Sequence, residues 1–108
     1  MDDKNIIQVI WDAVKKLALK VIEMVRLAFA QVVNWFRTVG SRIKAKDKDN
    51  IAFTLHRLLE SGEHETIQGI FNKRTDEFPE DMVRDITSQE LDADMAAAHA
   101  NKELVIYE

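Results

Sequence analysis

Cysteine is absent from this chain of 108 residues, proline occurs once and glycine three times. Without cysteine there is no disulfide framework, no thiolate-held zinc or iron–sulfur centre and no cysteine nucleophile. With so few helix breakers, long uninterrupted elements are expected. No run of about 18 residues is free of charge, so no ordinary membrane-spanning helix is predicted. A basic leader with a short apolar core is also missing, since the chain opens on Met1-Asp2-Asp3. The expected location is therefore cytoplasmic. There is no Walker loop, no G-x-G-x-x-G, no H-E-x-x-H and no G-x-S-x-G. The sequence thus reads as non-catalytic, with no cofactor.

What is present is an apolar fraction of 46% and a charged fraction of 31%, enough for one domain or for a small domain with a long appendage. Charge is divided by position. Residues 1–48 hold ten Lys and Arg against five Asp and Glu, whereas residues 49–108 hold five against fourteen. Such a split implies separate partners for the two halves, an attraction between them, or ordinary solvated surfaces. It makes nucleic acid an unlikely partner, because phosphate neutralisation needs clustered cations over the contact surface.

From Asn5 to Val39 there is neither glycine nor proline. Placed at 100° per residue, Gln8, Asp12, Lys15, Lys16, Lys20, Glu23, Arg26, Gln31, Asn34 and Arg37 share one sector of about 160°. The remaining arc of about 200° takes Ile6, Ile7, Ile10, Trp11, Val14, Leu17, Val21, Ile22, Met24, Val25, Phe29, Val32, Trp35, Phe36 and Val39. This predicts one long amphipathic helix followed by a basic linker, over residues 1–48. Such a helix would be about 50 Å long, too long for so small a globule to cover. Either it breaks and folds back, or its apolar face meets something else. Ile10, Trp11, Val14, Leu17, Val21, Val25, Phe29, Val32, Trp35 and Phe36 are then the candidate interaction residues. Their partner is a second copy (homo-oligomer), another protein, or an anionic membrane surface on which the helix lies in plane.

For residues 49–108 the expectation is a small acidic α+β domain. It comprises a short helix from Ile51 ended by Ser61-Gly62, a strand over Thr66–Asn72, a returning strand over Met82–Ile86, a helix capped by Thr87 or Ser88 and running to Ala100, and a strand at Glu103–Glu108. The fold class is thus α+β, with a β-β-α-β unit and a sheet of about three strands. The last strand also offers an edge for strand addition.

His56, Glu60 and His64 are spaced i, i+4, i+8 and would align as metal ligands on a continuous helix. Gly62 interrupts that helix, so they read as surface residues and no metal is expected. Arg57 and His64 are spaced similarly to the Arg–His pair of the HEPN ribonuclease family. The resemblance covers only those two residues, and β-type sequence follows where that family has a helical bundle. Asp76, Glu77, Glu80, Asp81 and Asp85 read as a solvated acidic rim. The function expected overall is that of an adaptor-like protein that assembles through its N-terminal helix and recruits a partner through its acidic part. The alternative is a peripheral membrane protein.

Overall fold

The computed structural model describes residues 3–107. Met1, Asp2 and Glu108, the last residue of the expected C-terminal strand, lie outside the described residues. The chain is α+β, but its architecture differs from the expected one. A five-stranded mixed sheet replaces the sheet of about three strands, and the N-terminal helix is short.

The N-terminal helix α1 spans Asp3–Leu17. It stops where Ala18 takes a left-handed φ of 50°, the conformation in which helices commonly terminate. The expected helix then gives way to strand β1, Val21–Leu27. Only after it does the chain return to helix, with α2 at Phe29–Trp35, a π-helical segment at Phe36–Gly40 and α3 at Ser41–Lys44. Val21-Ile22-Glu23-Met24-Val25 satisfies a helical stripe and a strand equally well, because β-branched residues favour the extended backbone. The partner strand β4, Val83–Leu91, decides between them, by hydrogen-bonding β1 in parallel.

The segment expected as a second helix is also a strand. β2 spans Asn50–Leu58, β3 His64–Asn72 and β4 Val83–Leu91; α4 follows at Ala93–Ala98 and β5 at Leu104–Tyr107. In β2 the residues alternate, with Ile51, Phe53 and Leu55 facing one side and Ala52, Thr54 and His56 the other. All but His56 are buried, as befits a central strand covered on both faces. The expected helix from Ser88 is likewise corrected. Ser88 continues β4, and Asp92 provides the cap, its Oδ1 accepting from Met95 N at 2.8 Å and from Phe29 N at 3.1 Å.

The sheet order is β1-β4-β3-β2-β5, antiparallel except for β1 against β4. Helix α1 covers one face, packing Ile6, Ile10 and Val14 on Ile51, Phe53, Leu55, Ile67, Phe71 and Leu104. Rings stack beneath it, with Phe53 and Phe78 centroids 6.0 Å apart. The opposite face is covered by α2 to α3 and by α4, with Val32, Ile43 and Met95 over Leu27, Ala52, Ile70 and Ile86. Polar anchors fix that second layer. Gln68 Nε2 donates to Val32 O and Asn50 Nδ2 to Ile43 O, both at 2.8 Å. The basic stretch before β2 meets the acidic turn region through Lys46, which pairs with Glu80 at 3.0 Å; Arg74 and Asp47, 2.6 Å apart, pair in the reverse sense. Part of the charge split is therefore neutralised within the molecule.

Candidate functional site

The ten candidate interaction residues are dispersed by the break in the helix. Ile10, Val14 and Val32 lie in the protein's own core. Trp11 is half-buried, with the Arg57 guanidinium 4.3 Å above its ring. Phe29, Trp35 and Phe36 are partly buried, Phe36 and Phe29 lying beside Tyr107 with ring centroids 5.3 and 6.2 Å away. Leu17, Val21 and Val25 remain exposed, and Ile22 joins them. These four follow one another from the end of α1 along β1. Register places Val21 beside Asp85 and Ile22 beside Ile86, so the strand exposes apolar side chains on both of its faces. β1 is also an edge strand, hydrogen-bonded to β4 alone. The only ion pair on it joins Arg26 to Glu90 at 2.7 Å among the described residues. Among the described residues no helix is long and apolar enough to cross a membrane.

On the α1 face, β3 and β4 bring two carboxyl groups together. Glu65 and Asp85 are both buried, and Arg57 Nε donates to Glu65 Oε1 at 2.5 Å. Burial first, and then the adjoining Glu65 carboxyl, push the Asp85 pKa up to about 7 from an ordinary value of 3.8, with Arg57 opposing the rise. Of the residues expected to form a solvated rim, Asp85 is thus corrected to a core position, while Asp76, Glu77, Glu80 and Asp81 are exposed. The folded state holds this proton more tightly than the unfolded chain. Asp85 therefore favours folding less and less as pH rises through the interval between about 4 and 7. In Asp85→Asn that loss disappears. Parallel urea titrations of both proteins across this interval should show the variant gaining stability relative to the parent as pH increases.

The other face gathers all three histidines of the chain. His56 and His64 stand at helical spacing in the sequence, but the β2–β3 hairpin, not a helix, brings them together. Its turn closes through Leu59 N to Glu63 O at 2.8 Å and is made possible by Gly62 at φ 91°. The rings of His56 and His64 meet edge to edge, 25° from coplanar with centroids 5.1 Å apart, and His56 Nε2 lies 2.9 Å from His64 Nδ1 in a nitrogen-to-nitrogen hydrogen bond. Glu60 stays exposed in the turn. His99, reached from α4, has its centroid 5.5 Å from that of His56. Its Nδ1 donates to Lys102 O at 3.0 Å, which leaves Nε2 to accept from Thr54 Oγ1 at 2.7 Å. Thr54 Oγ1 in turn accepts from the Tyr107 hydroxyl, also at 2.7 Å. Burial, with the charges of His99 and His64, pushes His56 down to about 4, and burial also lowers His99. Both shifts disfavour the charged form of these two rings at neutral pH. Among the described residues no group of three or more His, Asp or Glu is arranged to hold a metal ion.

The involvement of His99 was not visible in the sequence, because only the fold of α4 across the sheet brings it to Thr54. The resemblance of the Arg57–His64 spacing to the HEPN pair is likewise resolved by the hairpin. Arg57 faces α1 and His64 faces the opposite layer, so the two cannot act on one substrate bond. No known family, curated protein or solved structure matches the chain.

Proposed function

We propose that the protein is a non-catalytic assembly module that self-associates by edge-to-edge pairing of β1 with the β1 of a second copy. The single observation behind this reading is the exposed, two-sided apolar edge formed by Val21, Ile22 and Val25, of which Val25 is 67% exposed. An open strand edge presents unpaired N–H and C=O groups, and the usual protections against pairing are weak here. β1 is seven residues long, carries no proline and has charges only at Glu23 and Arg26. Across a two-fold axis, directly opposed residues share a face of the joined sheet. A register centred on Glu23 would oppose Glu23 to itself and is disfavoured, whereas registers centred on Ile22 or Met24 oppose no like charges. The adaptor idea persists in altered form, with strand rather than helix as the assembling element. The exposed acidic turn at Asp76, Glu77 and Asp81 would be left free to recruit a basic partner.

Light scattering after size exclusion tests this. The expected mass is twice the chain's 12.5 kDa at high concentration, falling toward the single-chain value on dilution. Val25→Lys, which sets a charge on the edge, should shift the protein to monomer without unfolding it. A monomer at all concentrations would overturn the reading. So would flotation on anionic vesicles by a protein that never dimerises, because it would identify lipid as the partner of this edge.

A further inference from the structure

In the register of the sheet Ala52 lies between Ile70 of β3 and Tyr107 of β5, so a methyl group is flanked by two large side chains. The helical layer above repeats the deficit. Gly40 sits there with no side chain, and a Cβ added to it would stand 3.4 Å from Ile70 Cδ1. Two small residues at one place leave a hollow of about 310 Å³ between helix and sheet, with Phe36 on its wall. That is the lower end of the range occupied by ligand sites, about 300–1,000 Å³. The helical wall is the π-helical segment Phe36–Gly40, where Ser41 N donates to Phe36 O. Such turns are rare and recur at functional sites.

The rim indicates which ligand. Arg37 and Lys44, on either side of Gly40 along the chain, border the hollow, and among the described residues no acidic side chain does. Neither cation has an ion pair among the described residues. The polar groups inside are engaged elsewhere, the Tyr107 hydroxyl with Thr54 Oγ1 at 2.7 Å and the Ser41 hydroxyl with Arg37 O at 3.4 Å. The interior therefore presents carbon and the mouth presents positive charge. We infer that the hollow binds a single-chain fatty carboxylate of medium length. Its tail lies against Ala52, Ile70 and the rings of Phe36 and Tyr107, where it displaces water from apolar walls. Its carboxylate lies between Arg37 and Lys44, the guanidinium fork matching the two oxygens. A lipid with two long tails exceeds the space, and a neutral or cationic amphiphile leaves the rim unpaired. The site borders β2, β3 and β5, apart from the edge at β1, and does not depend on assembly there.

Calorimetric titration of the full chain with sodium decanoate, below its micellar range, tests the site. One decanoate per chain is expected, with a Kd on the order of tens of micromolar. Decanol and decyltrimethylammonium keep the tail but lose the negative charge, and should bind at least about tenfold more weakly. Arg37→Gln and Lys44→Gln combined should weaken decanoate to the same extent and leave the melting temperature unchanged, since Arg37 is exposed and Lys44 half-exposed. Ala52→Leu fills the hollow from its floor and should abolish binding; if that protein does not fold, the charge variant decides the matter. No saturable binding below millimolar decanoate, equal affinity for decyltrimethylammonium, or an unchanged affinity in the charge variant overturns the site.

Discussion

Ile10→Ala is expected to lower the unfolding free energy by about 2–5 kcal/mol, whereas Val25→Ala should change it by less than about 0.5 kcal/mol. In a continuous amphipathic helix the two residues would be equivalent, since both lie within the same apolar arc. The fold separates them. Ile10 is 0% exposed, packed by α1 onto the central strands, while Val25 projects from the sheet edge. Removing the Ile10 side chain leaves a cavity under a helix that the sheet cannot fully close, whereas removing that of Val25 leaves nothing but solvent. Urea denaturation of the two variants measures the difference directly. Equal, small effects would mean that α1 does not pack on the sheet. Light scattering on the same samples separates stability from association, because only Val25 is expected to influence both copies' contact at β1.

Gly69→Ala should be the other severe substitution, costing about 1–3 kcal/mol or more through overpacking. Gly69 lies on β3 between Phe53 of β2 and Val83 of β4. A Cβ built there would stand 2.7 Å from Met82 O and 2.9 Å from Val83 Cα. Those are backbone atoms, held by the ladder in which Ile70 N donates to Met82 O at 2.9 Å. No side-chain rotation can relieve the clash, so β3 and β4 must separate locally. A contrast is provided by Gly62, which has open space around its Cβ position but a φ of 91°. Gly62→Ala acts through backbone strain in the hairpin turn alone. Comparing the two melting temperatures distinguishes packing from conformational cost, and a Gly69→Ala protein as stable as its parent would contradict the close strand approach.

Several elements were legible from residue order. The β-branched and aromatic run Thr66–Asn72 is β3, the polar stretch after it is a turn, and the apolar C-terminal run is an added strand. These segments have one period that fits and flanking residues that end it. The errors fall where two periods fit. Val21–Leu27 reads as the middle of a helix because its residues also satisfy a stripe of 3.6, and β2 reads as helical because Phe53, Leu55, Leu58 and Leu59 can be drawn on one side of a cylinder. In both cases a neighbouring strand supplied hydrogen bonds that local propensity could not reveal. The histidine cluster was partly legible. The spacing of His56 and His64 is visible in the sequence, but its meaning depends on a hairpin, where residues eight apart can meet across a turn.

The amino-acid order alone determined that the N-terminal apolar surface was too large to remain one straight helix exposed to water, that no thiol chemistry was available, and that acidic and basic charge lay in different halves. Those follow from composition and from the cost of wetting apolar side chains. Tertiary structure decided how the surface was covered. It broke the helix at Ala18, turned Val21–Leu27 into an edge strand, and buried Ile10 and Val14 while leaving Val25 outside. It also set His56, His64 and His99 together. Both outcomes rest on pairing between strands distant in sequence, whose hydrogen bonds form only once the partner strand is in place.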